Sequence, residues 1–283
     1  MPEIAIDPDK CNQCSACVAL CNSSKVYEQV NGEIRVDRPD ECWFCGHCVA
    51  VCPTDAIAHS EFPLSECPAL NPAVLPTCDS LVAAFRGRRS ARVFRDKPVA
   101  RILVNDLADI ARWVPSAGNA QPVDWLAVDD PAQIAALSAE TVEFIRQRAD
   151  RLATGADGAV GSLEDVEDFE RIVRQSGRGD DPIFFKSPLL LLAHVPDDDE
   201  FGRDDATYAA YNLILAAERM GLGTCLIGYF IFALYRCEDL LRMLSLPKGR
   251  KVEVAMVLGY PKFIFRRHIP RRKMQIVWNP VKI

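Results

Sequence analysis

Eight cysteines fall into two copies of one pattern, C-x-x-C-x-x-C-x-x-x-C, at Cys11, Cys14, Cys17 and Cys21 and again at Cys42, Cys45, Cys48 and Cys52. A shift of 31 residues superposes all four positions, so the pattern is an internal duplication. Short strand-like pieces, EIAI and EIRV, precede the copies, and the repeating unit reads as a strand, a cysteine loop and a short helical turn. Three thiolates from such a loop can wrap one corner of a cubane iron-sulfur cluster while backbone N–H groups point at its sulfides. The fourth cysteine, beyond a three-residue spacer, is carried away by the helical turn and reaches the other cluster. Paired C-x-x-C units also build zinc modules, but a zinc site takes four cysteines and leaves these eight in a less natural grouping.

The duplicated spacing resembles the bacterial two-cluster ferredoxin family. That resemblance implies one [4Fe-4S] cluster on Cys11, Cys14, Cys17 and Cys52 and a second on Cys42, Cys45, Cys48 and Cys21. The proline usual after the fourth cysteine is present as Pro53 but replaced by Asn22 in the first copy, which loses no ligand but alters the surroundings of a cluster and hence its potential. Trp43, Phe44, Ile6 and Ile57 read as apolar packing round the clusters, and His47 as a loop residue without a role.

The chain has 283 residues, enough for two domains that each bury a core. Twelve cysteines without an export signal in the opening MPEIAIDPDK favour metal ligation in a reducing compartment over disulfides. The longest uncharged stretch, Met220 to Tyr235, is shorter than a bilayer span and contains three glycines. A cytoplasmic protein without membrane partners is expected. Residues 1–80 hold 4 Lys and Arg against 12 Asp and Glu, and the remainder 29 against 27, so a basic footprint for nucleic acid is absent. The acidic first part either keeps the protein soluble or docks a basic redox partner.

From Glu61 to Asp79 four prolines and little periodicity mark a boundary: a ferredoxin domain over 1–62, a linker over 63–79 and a second domain over 80–283. Helical spacing follows in Arg101 to Val114, after Asp130 and Pro131, and in the run that ends at Gly221. Strands are expected at Trp125 to Asp129, Leu189 to Val195 and Val252 to Gly259. Thr154 to Pro182, glycine-rich at both ends of a charged helical piece, reads as an active-site flap or a plain surface insertion.

Four motifs carry the chemistry of this second part. RGRRSARVFRDKPV clusters Arg88, Arg89, Ser90 and Arg92, groups that suit a phosphate. VPSAGNAQPVDW is a turn of small residues with the amides Asn119 and Gln121; GLGTCLIGYF brings glycine backbone close to a ring; LGYPKFIFRRHIPRRK ends in Arg271, Arg272 and Lys273. In this order the motifs resemble the nitroreductase family of FMN enzymes over roughly residues 80–275. The resemblance implies an α+β sandwich that dimerises through long helices and holds two FMN between subunits. It implies Arg88, Arg89, Ser90 and Arg92, with Arg271 and Lys273, on the FMN phosphate and ribityl chain. Pro115, Ser116, Ala117 and Asn119 would line the isoalloxazine, and backbone at Ile227 and Gly228 would face the reactive ring nitrogen. The acidic residue that some members carry before Gly228 is missing, with the Ile227 N–H as a substitute, and no general acid is assigned. Cys67, Cys78, Cys225 and Cys237 read as buried thiols, His194 and His268 as poor base candidates, and Tyr229 and Phe230 as pocket caps or core.

Two clusters together hold two electrons, the number that takes FMN to its hydroquinone. The expected function is therefore a flavin-dependent oxidoreductase, fed through its clusters by a donor such as reduced ferredoxin, that reduces a nitro, quinone, enone or similar conjugated acceptor. Two alternatives are an NAD(P)H-oxidising flavoprotein that sends electrons out through the clusters, and a ferredoxin carrier with a non-catalytic, flavin-binding sensory domain. No G-x-G-x-x-G fingerprint for a nicotinamide follows a strand.

Overall fold

The structure is a computed structural model in which residues 1–154 and 166–278 are described. The chain divides into two units, Met1–Pro76 with Ser116–Gln121, and Thr77–Pro115 with Pro122–Ile283.

The first unit runs β1 (Ile4–Ile6), α1 (Ala16–Leu20), β2 (Tyr27–Val30), β3 (Glu33–Val36), α2 (His47–Val51) and β4 (Ile57–His59). The duplication reaches the backbone. The two helices occupy equivalent repeat positions, and ahead of each stand two left-handed residues, Gln13 and Ser15 (φ 59° and 61°) and Phe44 and Gly46 (φ 53° and 70°). Such alternation curls a loop and turns successive N–H groups to one side, the geometry of a cluster-binding nest.

The two strand-like pieces ahead of the repeats do not pair with each other. β1 pairs antiparallel with β4, Ile4 opposite His59, and β3 pairs with β2, Tyr27 opposite Val36. Asn31 and Gly32, both at positive φ, close that hairpin as the two-residue turn which right-handed strand twist favours. Cys17, Val26, Tyr27, Ile34, Val49 and Ile57 form the small core, with Ile6 packed against it. Trp43 and Phe44 lie outside this core, 58% and 40% exposed, and Trp43 lines a cavity with Cys42, Cys45 and Cys48. Most of the stretch expected as a linker, 63–79, groups with this unit, for Cys67 packs on its core and the division lies after Pro76.

The second unit begins where the Thr77 hydroxyl accepts the Ser80 N–H and caps α3 (Cys78–Gly87). There follow α4 (Arg101–Ala111), β5 (Asp124–Val128), α5 (Pro131–Ala153), α6 (Val166–Gly177), β6 (Leu189–Pro196), α7 (Gly202–Arg219), β7 (Gly223–Leu226), α8 (Gly228–Leu234), α9 (Glu238–Met243) and β8 (Arg250–Gly259). The start of α5 carries both expected signals: Asp130 accepts the Ala132 N–H, and Pro131 takes the first helical position. The strands form one antiparallel sheet in the order β5-β6-β8-β7.

The apolar run of β6 is explained by burial on both faces. Leu190 and Leu192 enter one core with α5, α6, α8 and α9, while Leu189, Leu191, Ala193 and Val195 enter the other with α4 and α7. Each such leucine contributes about 1.5–3 kcal/mol on burial, so the sheet is a fixed platform for the segments at its edge. The expected α+β sandwich is what the chain forms. Of the expected 154–182 segment, residues 155–165 lie outside the described residues and α6 is its charged helical piece. Among the described residues no helix is long and apolar enough to cross a membrane.

Candidate functional site

Within the first unit, Cys21 from the first repeat lines one cavity together with Cys42, Cys45 and Cys48 from the second. Helix α1 makes this possible: Cys17 stands in it and packs inward, and one turn later Cys21 ends it, its N–H donating to the Cys17 carbonyl. Burial pushes the Cys48 thiol up, and the charges of Cys45 and Cys42 push the same way. Cys17 behaves alike, raised first by burial and further by Cys11 and Cys14. Sulfurs that line one cavity repel one another as thiolates, and bound metal offsets that repulsion. At Cys52 burial is outweighed by N–H groups of Thr54, Ala56 and Ile57, so its pKa is lowered; the Ala56 N–H donates to Sγ at 3.2 Å. A cavity lined by cysteines of both repeats, with the Phe44 and Ala56 N–H groups donating to Cys42 and Cys52 Sγ, fits iron-sulfur clusters.

Two residues near this cavity were missed in the sequence. His59, 5% exposed, ends β4 with Nε2 at 3.6 Å from Cys42 Sγ, while its Nδ1 accepts the Glu61 N–H at 3.2 Å. Burial lowers its pKa against the opposing charge of Glu61, so the ring is neutral. Tyr27, 3% exposed, has a buried hydroxyl with no hydrogen-bond partner among the described residues and lines the same cavity as Cys48. The signal for His59 was legible: Ile57, singled out as packing, shares a strand face with the residue two positions on. His47 lines the cavity as the first residue of α2.

In the second unit, the basic stretch after α3 lies along the edge strand β7. Ser90 bridges Thr224 in parallel, and the Ala91 N–H donates to the Thr224 carbonyl at 2.8 Å. A Cβ on Gly223 would come within 2.6 Å of the Ala91 Cβ, so glycine is required for this close approach. Extended backbone alternates its side chains. Arg88, Ser90 and Arg92 gather near Cys225, whose thiol is raised by burial and pulled back by those three groups. Arg89 leaves the group: its Nη1 donates to the carbonyls of Arg86 and Arg88, and its N–H to Glu218 Oε1 at 3.0 Å.

The chain then turns into α8. The Ile227 N–H is already donated to the Ala255 carbonyl at 2.9 Å, so it is not free for a ring nitrogen as expected. Gly228 is the first residue of α8, where an N–H has no intrahelical partner. Ser116, Ala117 and Asn119 lie in the Ser116–Gln121 segment, which groups with the first unit, while Pro115 groups with the second. Inside the first unit the Asn119 amide donates to the Phe44 carbonyl at 2.6 Å, and Ser116 Oγ accepts the Gln121 N–H at 3.0 Å. Arg271 and Lys273 are exposed, and among the described residues no hydrogen bond or ion pair joins them to the Arg88–Arg92 stretch.

The remaining candidates sort by burial. Cys225 is buried and Cys67 and Cys237 are half-buried, but Cys78 is exposed at the start of α3, contrary to expectation. His194 is buried with Nδ1 accepting Arg250 Nε–H at 2.9 Å, and Phe230 is core against Phe184.

Each of the two units matches a known family. Residues 85–260 match the nitroreductase family, and residues 3–53 match the 4Fe-4S dicluster domain. Among solved structures, a nitroreductase with bound FMN from Desulfitobacterium hafniense DCB-2 is 20% identical, with 70% of this chain and 97% of that one covered at a TM-score of 0.55. A nitroreductase with bound FMN from Bacteroides fragilis NCTC 9343 gives 17% identity, 70% and 98% coverage and a TM-score of 0.54. A BluB-like flavoprotein from Clostridium difficile 630 gives 18% identity, 69% and 94% coverage and a TM-score of 0.51. No curated protein matches the chain. The match across more than half its length places the chain in the nitroreductase family, with a 4Fe-4S dicluster domain at its N-terminus.

Proposed function

We propose that the chain is an FMN-dependent oxidoreductase whose N-terminal unit receives electrons from a donor such as reduced ferredoxin for delivery to a nitro, quinone, enone or similar conjugated acceptor. The observation that carries this reading is the convergence of Cys21 with Cys42, Cys45 and Cys48 on one cavity, which uses both repeats as a two-cluster carrier does. When bound, the clusters supply one-electron carriage and FMN supplies exchange between single electrons and two-electron chemistry.

The residues divide the remaining work. Cys11, Cys14, Cys17 and Cys52 hold one cubane and Cys21, Cys42, Cys45 and Cys48 the other. Arg88 and Arg92 present guanidinium groups and Ser90 a hydroxyl to the FMN phosphate, on the side of β7 where Cys225 lies. The Gly228 N–H is the backbone donor for the reactive edge of the ring. A homodimer is supported by exposed apolar side chains on and beside α4 and on α7, namely Ile102, Ile110, Trp113, Tyr208 and Tyr211. The reading places the enzyme in the cytoplasm.

The test is reduction of bound FMN by reduced ferredoxin in holoenzyme and in cluster-depleted protein. The reading requires fast reduction only with clusters present. Equal rates in both would sink it, and hydride transfer from NAD(P)H with electrons leaving through the clusters would reverse the direction of flow.

A further inference from the structure

The two sets of cysteines are not surrounded alike. At Cys52 the donors are backbone N–H groups, Ala56 at 3.2 Å with those of Thr54 and Ile57, and among the described residues the only side-chain group is the Thr54 hydroxyl at 3.8 Å. Around the other set, the Phe44 N–H reaches Cys42 Sγ at 3.4 Å, and two buried aromatic side chains are added. One is His59, whose protonation geometry is fixed by its neighbours. Because Nδ1 accepts the Glu61 N–H, the ring proton sits on Nε2, and Nε2 stands 3.6 Å from Cys42 Sγ. The other is Tyr27, whose buried hydroxyl has no hydrogen-bond partner among the described residues and which lines the same cavity as Cys48. A buried hydroxyl is costly unless it donates, and the cysteine sulfurs of that cavity are the acceptors the site offers it.

Resting on the assignment of Cys21, Cys42, Cys45 and Cys48 to one cluster, we infer that His59 and Tyr27 are side-chain hydrogen-bond donors to Cys42 and Cys48 that raise the reduction potential of that cluster. The physical reason is charge. Reduction adds an electron whose density spreads onto the cysteine sulfurs, and a donor aimed at a sulfur is bound more strongly by the reduced form than by the oxidised one. Both residues are placed by folding rather than by the ligand loops: β4 carries His59 against β1, and the β2-β3 hairpin carries Tyr27. His59 and Tyr27 act through the ligands and are positioning residues, not catalytic ones.

The experiment is a mediated redox titration of the full-length holoenzyme, followed by electron paramagnetic resonance of both clusters. The variants are His59→Phe and Tyr27→Phe, which keep a ring and lose the donor, and Thr54→Val as a control at the other set. With the ambient potential held at the wild-type midpoint, each ring variant is expected to lower the reduced-to-oxidised ratio of one and the same signal by about three- to tenfold. A tenfold change corresponds to 59 mV for one electron. Thr54→Val should move only the other signal. Ratios unchanged within twofold in both ring variants, with iron content kept, would overturn the inference alone. Tyr27→Phe losing iron would overturn it too, by making the hydroxyl a structural contact. A wild-type chain with no cubane signal would overturn the ligand assignment together with the inference.

Discussion

Arg88, Ser90 and Arg92 face one way along the edge strand and Arg89 the other, so on the proposed reading the first three meet the phosphate and Arg89 does not. Replacing Arg88 or Arg92 with alanine should weaken FMN binding by about 10- to 100-fold, the worth of one or two charge-assisted hydrogen bonds. Arg89→Ala should leave flavin affinity within about threefold but cost about 1–2 kcal/mol of stability, because it strips the carbonyl contacts that end α3. Fluorescence titration of apoprotein with FMN separates the two outcomes. Equal losses in all three variants would contradict the assignment. In the string RGRRSAR the four groups read as one phosphate cluster, and only the bridge from Ser90 to Thr224 reveals the alternation. The amide of Ile227 shows the same limit: a sequence cannot tell that its N–H is already given to Ala255.

Elements were legible where one face or both faces had to be apolar. The leucine run of β6 and the helical spacing of α4, α5 and α7 fixed their positions to within a few residues, because burial against two cores imposes the pattern. Strands β2, β4 and β7 passed unread, although Asn31-Gly32 announced the hairpin turn. The glycine segment carries a demand that its sequence does not announce: Gly223 admits the Ala91 side chain. Gly223→Val should therefore destabilise the second unit by about 1–3 kcal/mol in denaturant unfolding, and weaken FMN binding by separating Ser90 from β7. No change in either quantity would contradict the close-approach argument.

A pH effect belongs to β6 and β8. Burial of His194 and the adjacent Arg250 lower its pKa, against the pull of Asp124, so the folded chain holds it neutral while the unfolded chain takes up a proton below about 6.5. Stability should fall as pH drops through that value, and the fall should shrink in His194→Gln when unfolding midpoints are compared at pH 7 and pH 5.5. An identical pH dependence in both proteins would exclude His194 as a source.

For the whole molecule, the duplicated cysteine pattern was the most informative feature, since its 31-residue shift reappears in two equivalent helices and four left-handed residues. What it could not give was the surrounding shell of His59 and Tyr27, because those contacts come from strand pairing distant in sequence from the ligand loops. The crossing of Cys21 into the cavity of the second repeat has a direct consequence: Cys21→Ser and Cys42→Ser should alter the same resonance signal, whereas Cys52→Ser should alter the other. Pairing of Cys21→Ser with Cys11→Ser instead would show that each repeat closes on itself.

The central claim is that one chain holds two cubanes and a flavin. Metal, sulfide and flavin analysis of anaerobically purified full-length protein tests it most directly. The account predicts about eight irons, about eight sulfides and about one FMN per chain. Zinc in place of iron, or a colourless chain that takes up no FMN, would contradict it.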